Sequence, residues 1–234
     1  MDLLSFLTQH PMDLSVFLEP RGFMRFLQLS FSVLAFAAIR GYEGFVDIKF
    51  CETMSAHLIF EYPFKLSDVK YDLPTPCKTS PGVKSIALEG DFGLEGELFV
   101  LSCWLSLLYC LAIIYVYVKL TPNYENDRKW PIADFLASLA ISGLWILHFV
   151  IWTHGVSGIK EATEPSRVLE ECDAKLHCTS VSTSPYFGLN VSIALGLINL
   201  ILWTSNQWFL FKETPWFGSS QGIMFRSPGS AQHV

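Results

Sequence analysis

Few residues here carry chemistry of their own, and most of those fall inside or beside long apolar runs. Asp134 stands two residues into such a run. A carboxylate there is costly and serves either as a proton or ion site or as a partner for a nearby cation or helix N-terminus. Its place near the start of the run, close to Lys129, favours contact with first-turn amides or with Lys129 over transport. His148 and His154 bracket the far end of the same run without a carboxylate or cysteine at ligand spacing, which reads as interfacial packing rather than a metal site. Asn199 and Asn206 share one face of a fourth run with Ser192 and Gly196, and Ala133, Ala137 and Ala140 offer a matching small stripe on the third. That pattern predicts close helix packing, with a pore-lining face as the competing reading. Cys103 and Cys110 read as packed thiols. Asn190-Val191-Ser192 matches a glycosylation acceptor but lies too near the membrane to serve as one. The sequence contains no nucleophile elbow, phosphate loop or paired metal-binding histidines.

The elements that must hold these residues are set by hydropathy. Leu189 to Phe211 carries no formal charge, is closed by Lys212 and has Trp203 and Trp208 toward that end, as a membrane span requires. Leu98 to Val118 is uncharged, and Ile132 to Trp152 has only Asp134. Phe23 to Ile39 is weaker, interrupted by Arg25 and Gln28. It ends in Ala35-Phe36-Ala37 like a signal peptide, yet the acidic lead before it and an Arg25 able to snorkel to the surface favour a first span. The expected fold is an all-α, four-helix transmembrane bundle over residues 23–212, with spans at about 23–39, 98–118, 132–152 and 189–211. A polar segment 1–22 precedes it and a short disordered tail 213–234 follows. The net charge of −6 argues against a nucleic-acid partner.

Between the spans lie two long polar loops, 41–97 and 155–187. The first has partly alternating segments at Phe45 to Cys51, His57 to Tyr62, Val69 to Leu73 and Ser85 to Leu88, punctuated by prolines, which predicts a small antiparallel sheet outside the membrane. Cys51 and Cys77 fall in this loop and Cys172 and Cys178 in the other, so one bridge per loop in an oxidising lumen is expected. The short loop packs Lys119, Arg128 and Lys129, and Arg21 and Arg25 flank the first span on the same side. Both termini are therefore expected in the cytoplasm.

Phe60-Glu61-Tyr62-Pro63-Phe64-Lys65-Leu66 closely resembles the first-loop motif of the synaptophysin family, vesicle proteins built on a MARVEL-type four-helix domain. Glu19-Pro20-Arg21-Gly22-Phe23, Gly90-Asp91-Phe92, Pro131-Ile132-Ala133-Asp134-Phe135, Gly188-Leu189-Asn190-Val191-Ser192 and Trp208-Phe209-Leu210-Phe211-Lys212-Glu213-Thr214 extend the resemblance in order along the chain. The short ending resembles the synaptophysin-like branch that includes pantophysin and mitsugumin, while Arg40 replaces a small residue usual in the family. The resemblance implies a vesicle or muscle-junction membrane protein that forms homo-oligomers. It also implies membrane lipids, cholesterol among them, as ligands and a synaptobrevin-type vesicle protein as partner.

Overall fold

The computed structural model describes residues 15–51, 54–73, 85–120, 124, 127–176 and 178–217. Four long helices form the bundle: α1 (Pro20–Arg40), α2 (Gly93–Lys119), α3 (Lys129–Ala162) and α5 (Phe187–Glu213), each long and apolar enough to cross a membrane. α1 packs on α2 and α5, and α3 closes the ring against α2 and α5. Because lipid tails are as apolar as leucine, burial alone does not drive these helices together, and close packing and interhelical hydrogen bonds must do so. The helices are accordingly inside-out. α1 turns Arg25, Gln28, Ser32 and Ala35 inward and leaves Phe23, Phe26, Val33 and Leu34 exposed.

Two boundaries depart from expectation. α1 starts at Pro20, whose fixed φ and missing N–H suit a first helical turn. A short helical turn at Ser15–Leu18 also tucks Val16 against Ile113, Tyr117 and Tyr124, so residues 15–22 belong to the bundle rather than to a free lead. α3 does not stop at Trp152. Its 34 residues reach about 51 Å, well beyond a hydrocarbon core of roughly 30 Å, so its last turns stand clear of the membrane. Gly155 and Gly158, which resemble helix breakers in the sequence, are instead contact points. A Cβ on Gly155 would come within 2.8 Å of the Glu95 side chain, and one on Gly158 within 2.3 Å of the Phe92 ring. The helix ends where Thr163 returns its hydroxyl to the Ile159 carbonyl (2.7 Å), two residues before Pro165.

At this end, termed the cap end, the two long loops fold together. The strands β1 (Glu43–Phe50) and β2 (Met54–Glu61) pair antiparallel, as the alternation predicts. The second loop is not merely polar linker: it forms a helix α4 (Pro165–Leu176) and a strand β5 (Cys178–Thr183) that pairs antiparallel with β1. The sheet order is β2-β1-β5, and β3 (Lys70–Asp72) and β4 (Ser85–Ala87) form a separate two-stranded ladder. Val46, Ile48, Phe50, Ala56, Leu58 and Phe60 face the core. Gly44 lies opposite Phe60, whose ring occupies the space a side chain would need, with a Cβ meeting it at 2.3 Å. Gly44→Val is expected to cost about 1–3 kcal/mol through overpacking. Faster proteolysis of the cap, with the spans still protected by membrane, would register it.

Cys172 and Cys178 are bridged, as expected, joining the end of α4 to the start of β5. Cys51 is disulfide-bonded as well, while the pairing with Cys77 lies outside the described residues. Cys103 and Cys110 are free and buried.

Candidate functional site: a charge cluster inside the bundle

Near the end where α1 begins and α5 finishes, termed the tail end, Arg25 and Asp134 form an ion pair at 2.5 Å with side chains 0% and 1% exposed. Each lies five residues after the first residue of its helix, and α1 and α3 both enter from the tail end, so the two side chains meet at one depth. The guanidinium also donates to Ser138 Oγ (2.6 Å) and Gln28 Oε1 (2.9 Å), and lies over the rings of Tyr109 and Trp203 at 5.2 and 5.5 Å. Asp134 accepts further hydrogen bonds from Tyr109 (2.5 Å), Tyr117, Tyr124 (3.2 Å) and Ser138 (3.2 Å). A carboxylate so fully supplied with donors is held in place by charge-assisted bonds. The expectation of an interfacial Asp134 bound to Lys129 or to first-turn amides is corrected, as is that of a snorkelling Arg25. The pair turns inward because lipid gives neither charge a partner, and the bundle interior gives both.

A second layer closes the cluster toward the start of α1 and the end of α5. Arg21 reaches Glu213 of α5 (3.4 Å), and Tyr124 donates to the same carboxylate oxygen (3.1 Å). Arg21 also stacks over Tyr117 and Tyr124 at 5.5 and 5.2 Å. Burial, followed by the neighbouring Tyr117, Asp134 and Glu213, pushes the Tyr124 phenol far above its ordinary value, which keeps it a donor. Residues from all four long helices, together with Tyr124 from the connection between α2 and α3, thus share one network.

Above this layer, polar side chains tie the helices in pairs. Ser32 donates to Asn199 (3.1 Å), joining α1 to α5, and Gln207 donates to Ser142 (2.8 Å), joining α5 to α3. Trp145 donates to Ser106 (2.8 Å), and Ser102 meets His148 (2.6 Å), both between α2 and α3. His148 is therefore an interior residue and not an interfacial one. Trp152 donates to Ser192 (2.9 Å), and Phe99 occupies the notch left by Gly196, where a Cβ would approach it to 2.8 Å. Asn206 is fully buried, and neither of its amide atoms has a hydrogen-bond partner among the described residues. Asn199, Asn206 and Asp134 all point into a single bundle, so the pore reading loses the interface it placed them on. The alanine stripe is likewise reassigned: Ala133 and Ala140 face outward, Ala137 is half-buried, and Ser138 and Ser142 make the contact with the neighbouring helices.

At the cap end the Tyr62-Pro63-Phe64 motif serves as a plug. The Tyr62–Pro63 bond is cis, Phe64 takes φ 69°, and the Phe64 ring, 0% exposed, lies 5.5 Å from Trp152 and 6.4 Å from Tyr42. Phe92 N–H donates to the Phe64 carbonyl (3.1 Å), fastening the motif to the start of α2. Trp152 continues the aromatic layer to Phe99 and Phe99 to Trp145, each at 5.7 Å. Arg40 is exposed and stacks over Tyr62 at 4.5 Å, which accounts for its place at the exit of α1.

The sequence reading missed Arg25, Tyr109, Tyr117, Tyr124 and Ser138 as members of the site. The signal was present, since Arg25 and Asp134 are the opposite charges of two spans that begin at the same end and lie equally deep.

These features define a class: a multi-pass membrane protein whose four helices are locked from inside by paired charges and capped by a disulfide-bonded sheet. A model of the MARVEL family, a membrane-associating domain, matches residues 16–209, and the chain belongs to that family.

Proposed function

We propose that the protein is a non-enzymatic membrane organiser of the synaptophysin-like branch. On this reading it assembles laterally into homo-oligomers that sort or cluster partners in trafficking vesicles or muscle junctional membranes. The observation that carries this reading is the filled interior. Arg25 and the tyrosines all bond Asp134, and Trp145, Trp152 and Trp203 are fully buried between the helices, so the charges of the bundle are engaged with one another. Outward-facing Ala133 and Ala140, with open space around the Cβ position of Gly143, offer a shallow face on α3 for lateral contact or for cholesterol. The bridge between Cys172 and Cys178 and the bonded Cys51 fit an oxidising lumen at the cap end, which leaves both termini cytoplasmic, where a synaptobrevin-type protein would be met.

Tagged protein is expected on cytoplasmic vesicles or muscle junctions, with purified protein silent in planar bilayers. Reproducible ion-selective conductance would overturn the organiser reading in favour of a pore.

A further inference from the structure

β5 is an edge strand, because the sheet order β2-β1-β5 leaves its outer side without a strand partner among the described residues. Ser184 donates its N–H to the Phe45 carbonyl (2.9 Å), which fixes the phase of the ladder. In the same register Ser182 and Ser180 bond inward to Asp47 and Lys49, and the peptide groups of Val181 and Thr183 face away from β1. Thr179 is the extra residue at the register shift near Cys178, and its hydroxyl turns back to the Lys49 carbonyl (3.3 Å).

α4 packs against β5 and the bulge at Thr179 interrupts the start of its ladder, but the strand itself is unguarded by charge or proline. Thr179-Ser180-Val181-Ser182-Thr183 holds no charge and no proline, and Thr179, Ser180 and Ser182 are exposed. It is also a palindrome centred on Val181. An antiparallel partner with the same sequence therefore meets like with like: Val181 opposite Val181 on a two-fold axis, Ser180 opposite Ser182, and Thr179 opposite Thr183. The phase matches as well. Val181, whose peptide groups point outward, would form the hydrogen-bonded pair on the axis, flanked by Thr183 with Thr179 of the second copy. No like charges are brought together, and Ser and Thr pairs are favourable across strands. An isologous contact of this kind requires only one self-complementary patch.

We infer that β5 is a homotypic docking edge, at which a second copy of this chain continues the sheet to β2-β1-β5-β5-β1-β2. The inference deepens the organiser reading by adding a cap contact to assembly through the helices, and it rests on that reading only for the assumption that copies meet.

The test is a photo-crosslinking amino acid at Ser182 in the full-length protein in native membranes. Ultraviolet light is expected to give a covalent dimer whose cross-link maps to Ser180 of the second copy. Val181→Pro is the discriminating variant, since it removes an N–H that faces outward and leaves the bonds to β1 in place, as proline on an edge strand permits. It is expected to reduce the cross-linked dimer by about tenfold or more. Retention of the bridge between Cys172 and Cys178 verifies that the cap has folded. Absence of the dimer, capture of a different protein, or a dimer undiminished by Val181→Pro would overturn the inference. Oligomers that persist in nanodiscs without the cross-link would leave the organiser reading standing and this contact refuted.

Discussion

Arg25→Met alone is expected to lower the stability of the bundle by about 3–5 kcal/mol, because it strands Asp134 as an unpaired charge in the membrane interior. The cost arises less from the lost attraction than from the charge left behind, since Asp134 is 1% exposed and water cannot replace the guanidinium. Asp134→Leu should be damaging for the mirror-image reason, leaving Arg25 with Ser138 and Gln28 as its remaining acceptors. The combined variant Arg25→Met with Asp134→Leu removes both charges. It still takes the Asp134 carboxylate away from the hydroxyls of Tyr109, Tyr117 and Tyr124, so stability is not fully restored. It is nevertheless expected to be less destabilised than the sum of the single variants by about 2 kcal/mol or more. Reversible unfolding in mixed micelles measures the cycle. Additive single effects would show that the pair is not coupled and that the network is held by the tyrosines alone. A local readout is also available: Cys110, buried and within electrostatic reach of both Arg25 and Asp134, should become reactive toward maleimide before Cys103 does.

The parts of this fold that lipid imposes are legible in the sequence, since a span must be apolar along its length and Leu98 to Val118 or Leu189 to Phe211 admit no other reading. The parts set by contact between distant segments are not. Gly155 and Gly158 look like the end of a helix until Glu95 and the Phe92 ring are seen filling the space beside them. After Cys178, β5 has only Thr, Ser and Val to show, and nothing local reveals that it joins a strand more than a hundred residues earlier. The cost of a carboxylate in a membrane marks Asp134 in the sequence, but the nearest cation along the chain, Lys129, is not its partner. Comparing depth along the helices, rather than proximity along the chain, leads to Arg25. Spacing puts Asn199 and Asn206 on one face, yet periodicity cannot say whether that face meets a neighbouring helix of the same bundle or another molecule; both are buried within the bundle. Ala133 and Ala140 illustrate the same limit in reverse, because Ser138, one residue after Ala137, and Ser142, two after Ala140, make the internal contact.

Phe64→Ala is expected to cost about 3–5 kcal/mol and to loosen the bundle from the opposite end. The ring is fully buried, sits in a sequence of aromatic contacts running through Trp152 and Phe99 to Trp145, and is held by a backbone conformation at φ 69° that a bulky residue adopts only when its surroundings enforce it. Removing it leaves a cavity between the cap and the spans that the rigid neighbours cannot close: Gly96 packs beside the Phe64 ring, and Trp152 is pinned through its indole N–H to Ser192. Phe64→Leu, which keeps most of the volume, should recover a substantial part of the loss and separates missing volume from a disturbed loop. The same thiols report the direction of opening. Cys103 lies one helical turn from Phe99 and should gain reactivity first in Phe64→Ala, whereas Cys110, guarded by the charge cluster, should stay protected. Equal labelling of the two cysteines, or a stability unchanged from the parent, would mean that the motif merely decorates the cap. The predicted asymmetry would establish that the bundle is fastened independently at its two ends, by aromatic packing on the cap side and by paired charges on the tail side.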